Sequence, residues 1–207
     1  MTIKDKSGVL AGLSDRSSVI LELGCGNRKR VKEAIGIDQL DYDGVDIVGD
    51  VMSVLNQFPN GSVDSVYSFH FFEHISDLAA LLKELIRVLK ENGQLEVVVP
   101  HFSSPYYHSD VTHRTFFGLY TFDYFAAKTL FSRKVPTYGQ PLAFEVVRVD
   151  LIFKSSRPFY VRYALKRILG SVFNSCNYMR ELYEENFCYL FPCYEMRFQL
   201  RRTDAPS

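Results

Sequence analysis

The chain has no excess of charge of either sign. Its 24 lysines and arginines balance 24 aspartates and glutamates. A dedicated nucleic-acid binder needs a basic excess to neutralise phosphates, so no nucleic-acid partner is expected. Cysteine is scarce. Cys25, Cys176, Cys188 and Cys193 form no CxxC pair and have no histidine at zinc-finger spacing, which argues against a disulfide framework or a zinc ribbon. Reduced thiols fit a cytoplasmic protein. No stretch approaches the roughly 20 apolar residues of a membrane span. The first 13 residues also lack the continuous apolar run of a signal peptide. There is no internal repeat and no low-complexity linker. A length of 207 residues fits a single domain, long enough to bury a core without staples.

What is present is an alternation of strand-like and helix-like segments through the first half, the signature of a parallel α/β sheet. Ser18 to Leu23 (SVILEL) is an apolar run ending at Gly24-Cys25-Gly26 and reads as a buried first strand with a tight turn. Arg28 to Ala34 is predicted as a short helix. Ile35 to Asp38, Val45 to Gly49 and Ser62 to Phe69 read as the second, third and fourth strands. Leu78, Leu81, Leu82, Leu85, Ile86 and Leu89 recur at helical spacing behind a cap at Ser76 or Asp77. Gln94 to Pro100 reads as a valine-rich fifth strand. Beyond it, Thr121 to Phe131 and Pro158 to Phe173 are predicted helical, and Phe144 to Lys154 and Tyr194 to Arg201 as strands.

The informative constellation is Glu22, Gly24, Cys25 and Gly26, then Asp38, then Asp50 with Val51. Each lies at or just after the carboxyl end of a predicted parallel strand, the edge at which open α/β sheets bind ligands. The glycines let the backbone turn and approach a ligand closely. Asp38 can accept bonds from both hydroxyls of a ribose, and Asp50 can meet an adenine amino group. A dinucleotide is disfavoured, because the third glycine of G-x-G-x-x-G is replaced by Lys29. Glu22 would also repel a pyrophosphate and favour a cation such as a sulfonium.

These residues resemble the cofactor motifs of class I S-adenosylmethionine-dependent methyltransferases: VILELGCGN, then IGID, then VDIVGD. SVDSVYSFHFFEH resembles that family's fourth strand and the loop after it, and RVLKENGQLEVVVP its fifth-strand region. The similarity covers about residues 18–100. It implies a doubly wound, seven-stranded, mostly parallel sheet with S-adenosylmethionine as cofactor. Glu22, Gly24 and Gly26 would lie near the methionine part, Asp38 on the ribose and Asp50 on the adenine, with Ser68, Phe69 and His70 lining the site. The short spacing from Gly26 to Asp38 departs from the pattern and leaves little room for a first helix. On this reading residues 1–207 form one domain. Residues 18–100 are its cofactor-binding half; residues 101–207 are an acceptor-side half with an aromatic-rich cap and helical additions.

The cap, residues 100–125, is dense in histidine and aromatics. His113 or His108, oriented by Asp110, is the predicted base for a hydroxyl acceptor. His101, Tyr106, Tyr107 and Tyr120 are predicted to line the acceptor pocket. The competing expectation is that the aromatics pack a lid or a subunit contact and that the histidines are structural. The spacing of His101, His108, Asp110 and His113 matches no metal motif, and no metal is expected. Glu73 and His74 read either as catalytic or as helix-start packing. The cap also resembles bacterial methyltransferases suspected of modifying saccharides or cell-surface glycans, which implies O-methylation of a small or medium-sized acceptor. RNA or protein as the acceptor, or a non-catalytic scaffold keeping the fold, are the alternatives.

The chain is more basic after Asp150, with 9 basic and 5 acidic side chains. Arg157 to Arg202 mixes Arg162, Lys166 and Arg167 with aromatics. It reads as a basic amphipathic segment for peripheral contact with anionic lipid, or else as a sheet cover or a homodimer contact.

Overall fold

The computed structural model describes residues 2–136, 139–155 and 158–204; the predicted boundary residue Arg157 lies outside them. The strands in chain order are β1 (Lys4–Asp5), β2 (Ile20–Leu23), β3 (Ile35–Asp38), β4 (Ile47–Val48), β5 (Val63–Phe69), β6 (Leu89–Pro100), β7 (Ala126–Lys128), β8 (Leu142–Ile152) and β9 (Glu195–Arg202). The helices are α1 (Val51–Leu55), α2 (Leu78–Val88), α3 (Pro105–Ser109), α4 (Tyr160–Phe173) and α5 (Asn177–Asn186).

All nine strands join one sheet in the order β1-β4-β3-β2-β5-β6-β9-β8-β7. Strands β2 to β6 pair in parallel, and β9 runs antiparallel between β6 and β8. The expected strand number of seven is therefore corrected to nine. The two extra strands are short edges: β1 pairs antiparallel with β4, and β7 pairs with β8. The order reverses at β2, with β3 on one side and β5 on the other. The carboxyl ends of β2 and β5 thus open a crevice at the switch point.

The core follows from the apolar runs. Leu21, Leu23, Ile37, Ile47, Val63, Val66, Val97 and Val99 are buried in the sheet. Helix α2 turns Leu78, Leu81, Leu82, Leu85 and Val88 onto it, each burial contributing about 1.5–3 kcal/mol. The Asp77 carboxylate caps this helix by accepting the Ala80 N–H at 2.9 Å.

Two predicted helices do not form. Residues 28–34 are a loop, because the buried Glu22 carboxylate takes the backbone N–H groups of Arg30 and Val31 at 2.9 and 2.8 Å. Lys29 pins the same loop to the Ala34 carbonyl and to Asp46. In 121–131, the chain makes turns as far as Phe125 and then enters β7. Phe122 is drawn into the core against Phe198, and Ala126 pairs with Leu142. Asn92 and Gly93, just past α2, are part of β6, whose pairing with β5 begins at Leu89. Helices α3 and α5 were not anticipated. Among the described residues no helix is long and apolar enough to cross a membrane.

Candidate active site

Gly24 is the first residue past β2. Its φ of 63° is a left-handed conformation, and a Cβ there would meet the Phe71 ring at 2.7 Å. Gly26, also left-handed, donates its N–H to Asp38 Oδ2 at 2.8 Å, while Asp38 Oδ1 accepts from Leu40 N at 2.9 Å. Asp50 caps α1 through the Ser53 N–H at 2.9 Å. Gly24, Asp38, Asp50 and Val51 line a cavity of about 570 Å³ at the carboxyl edge of β2, β3 and β4. Its other walls are Gln39, Leu40, Gly49, Met52, His70, Phe71, His74, Ile75 and Thr112.

Several expected cofactor residues lie off this cavity. Glu22 is wholly engaged by the 28–34 loop. Cys25 packs with Val45 and Val48, and burial first, with Asp38, Glu22 and Asp46 adding to it, pushes its thiol up to about 12. Ser68 is fully buried. Phe69 carries the Arg30 guanidinium over its ring at 4.7 Å. All four, and Gly26, which also lies outside the cavity's lining, serve the framework around the cavity.

A second cavity of about 220 Å³ adjoins the first. It is lined by His70, Glu73, His74, Pro100, Ser104, Tyr106, Asp110, His113 and Tyr194. His70 and His74 belong to both cavities. The cap reaches this place through the Glu73 carbonyl, which accepts from Arg114 N at 2.6 Å and Thr115 N at 3.1 Å. These bonds bring the His113 ring to 4.9 Å from that of His74.

The tautomers follow from the bonds. A carbonyl can only accept, so His113 Nδ1–H donates to Tyr107 O at 2.8 Å and leaves its lone pair on Nε2. The Thr112 hydroxyl donates to Asp110 Oδ1 at 2.6 Å, so it accepts from His74 Nδ1–H at 2.9 Å. His74 too keeps its lone pair on Nε2. Asp110 Oδ2 lies 3.7 Å from His113 Nε2, and the Thr112 hydroxyl and N–H hold the Asp110 carboxyl below the usual range.

His70, a non-glycine residue at φ 57°, stands between Glu195 at 3.1 Å and Glu73 at 3.4 Å. Its bonds to Glu195 and Glu73 outweigh burial and raise it to about 9, so it is a cation at neutral pH. Burial raises the Glu195 carboxyl, but His70 and Lys154 prevail and hold it low.

The remaining acceptor-side expectations divide. Tyr106 is exposed and lines the small cavity. His101 is fully buried, with Ser103 N and Oγ on Nδ1 and Glu184 on Nε2, so it ties the cap to α5 and faces no acceptor. Tyr120 is buried, bonding Glu181 and packing on Phe131. Tyr107 is buried behind His113 and Phe116. His108 is exposed against Tyr107 and Phe116, outside the cavity lining. Density of aromatics could not separate these roles, because one tyrosine is a wall and its neighbour is core. Glu73, His74, Thr112 and Tyr194 carry more of the site than the sequence indicated. The Glu73-His74 pair directly after the fourth strand was the available signal.

A third cavity of about 510 Å³ shares Tyr106 and Tyr194 with the second and is lined by Lys154, Arg162 and Lys166. Burial first, then neighbouring Arg162, lowers Lys166 against the opposing effect of Cys193.

The methyltransferase-domain family model matches residues 3–169. The chain belongs to this family, within the class I S-adenosylmethionine-dependent methyltransferases. Solved structures with the same fold include a SAM-dependent methyltransferase from Archaeoglobus fulgidus, at 17% identity, covering 95% of this chain and 94% of the other with a TM-score of 0.59. YcgJ of Bacillus subtilis matches at 16% identity over 95% and 97% of the two chains with a TM-score of 0.52. No curated protein matches the chain in sequence.

Proposed function

We propose that this methyltransferase moves the methyl group of S-adenosylmethionine to a hydroxyl of a small or medium-sized acceptor, of the saccharide or glycan-precursor kind. The observation that carries the reading is the shared wall: the large cavity at the strand ends and the small polar one meet at His70 and His74. The adenosyl part fits the first, with Asp38 toward the ribose and Asp50 toward the adenine. The acceptor fits the second, whose carboxylates, imidazoles and tyrosines suit a hydroxylated ligand.

The chemistry asks mainly for alignment and exclusion of water, since the sulfonium already activates the methyl carbon. The acceptor proton leaves toward the His113–Asp110 side, where His113 Nε2 offers a lone pair. Acceptors with an anionic extension have room beyond Tyr106 and Tyr194, beside Lys154, Arg162 and Lys166. Exposed Tyr160, Val161 and Leu165 on α4, next to Arg162 and Lys166, support peripheral contact with an anionic membrane. Four free cysteines, three of them buried, support a reducing, cytoplasmic setting.

Calorimetric titration with S-adenosylmethionine, S-adenosylhomocysteine and NAD in parallel tests the cofactor. Binding of the first two alone is expected; binding of neither adenosyl compound would make the fold a scaffold. With a methylatable sugar in hand, His113→Ala should lower turnover and leave cofactor affinity unchanged.

A further inference from the structure

We infer that Glu73, His74 and His113 form a binding site for a divalent transition ion of the zinc kind, at the junction of the two cavities. One donor atom from each residue lies within 4.8 Å of the others. Two imidazoles and one carboxylate form a ligand set that suits zinc and related ions while leaving positions open.

Three features point the same way. First, Glu73 is 1% exposed, faces the small cavity, and its Oε2 has no hydrogen-bond partner among the described residues. A buried carboxylate oxygen left unmatched is costly, and a cation would match it. Second, both histidines hold Nδ1–H in a bond to a fixed acceptor, the Tyr107 carbonyl and the Thr112 hydroxyl. This is how metal-bound imidazoles are held, with the other nitrogen's lone pair turned to the ion. Third, the Thr112 hydroxyl donates its own O–H to Asp110 Oδ1, so the outer support extends to a carboxylate. The Glu73 carbonyl clamps the cap at Arg114 and Thr115, which fixes the spacing between His113 and the 72–74 turn. Binding would draw the donor atoms inward, to about 2.0–2.2 Å from the ion.

For the ion's role, the inference rests on the methyl-transfer reading; for its binding, it does not. An acceptor hydroxyl bound at an open position becomes more acidic. With the His113 Nε2 lone pair occupied by the ion, the proton passes instead by exposed Asp110 to solvent. The alkoxide oxygen attacks the methyl carbon, a C–O bond forms, and the C–S bond breaks with its electron pair staying on sulfur. The products are the methyl ether, S-adenosylhomocysteine and one proton, with no change of oxidation state at the ion.

The test strips the purified full-length protein with a chelator, titrates it with Zn²⁺ against a chromophoric competitor, and counts bound metal by mass spectrometry. One zinc per chain is expected. Glu73→Gln and His113→Ala should each weaken it by at least about a hundredfold, and Thr112→Val by about tenfold. Cys176→Ser, which removes an exposed thiol able to bind zinc on its own, should leave the stoichiometry unchanged. Titration of each variant with S-adenosylhomocysteine separates loss of the metal site from loss of the fold. No zinc bound to the wild type, or zinc bound equally by Glu73→Gln and His113→Ala variants that still bind S-adenosylhomocysteine, would overturn the site. Metal binding without cofactor binding would leave the ion site standing and sink the methyl-transfer reading.

Discussion

Asp38 holds the turn after β2 with one carboxylate oxygen and the start of the next loop with the other. Asp38→Ala removes both bonds together with the pair proposed for the ribose hydroxyls, and loss of that ribose pair, each bond worth about 1 kcal/mol, should weaken S-adenosylmethionine binding roughly tenfold in a calorimetric titration. Unchanged affinity would remove Asp38 from the ribose. Asp123 shows the opposite situation. Its carboxyl is 1% exposed, and burial above all, with Glu181 nearby and the Leu130 backbone opposing, pushes it from an ordinary 3.8 to about 6. The folded chain therefore keeps this proton to higher pH than the unfolded chain does. Asp123 weighs least against the fold below pH 3.8, and stability is lost as pH rises through about 6. Asp123→Asn should raise stability at pH 7 by up to about 2 kcal/mol, with the gain disappearing near pH 4, in denaturant titrations at both values.

At the scale of elements, the crossover from β2 to β3 is the main departure from a fully wound sheet. Its place is taken by a loop hung from a single buried carboxylate. Glu22→Gln would keep one neutral acceptor oxygen for the two N–H groups and turn its amide N–H₂ toward Arg30 N, where the second oxygen accepts at 3.0 Å, and should cost about 2 kcal/mol in thermal or denaturant unfolding. Cofactor affinity should fall with it, because the same loop carries Gly26. An unfolding midpoint equal to wild type would show that Lys29 and Asp46 suffice to hold the loop. The sequence made the strands legible, since ILEL, IGID and VDSVYSF are short apolar runs closed by turn residues, and α2 by its periodicity and cap. It hid the loop, because Arg28 to Ala34 has adequate helix propensity and only the buried Glu22 overrides it. It hid β7 for a similar reason: pairing with β8 is a long-range contact that local propensity does not report.

Across the whole molecule, the large cavity was readable where its residues sit at strand ends in chain order, as Gly24, Asp38 and Asp50 do. The small cavity was not, because His113 meets His74 only after the cap folds back over the sheet. Beside the small cavity the molecule presents α4, with apolar and basic side chains exposed together. Sedimentation with vesicles containing an anionic lipid should retain the protein at low salt and release it at high salt, and Arg162→Glu with Lys166→Glu should abolish retention. Light scattering of the free protein would show whether the same face joins a second copy instead. The wall that the two cavities hold in common has one more consequence. His70 and His74 cannot shift to accommodate one ligand without being felt by the other. If a loaded cofactor cavity improves the acceptor's hold, the acceptor must tighten the cofactor's hold by the same factor in equilibrium affinity. Two residues at a corner of the sheet thus tie the two binding equilibria to each other.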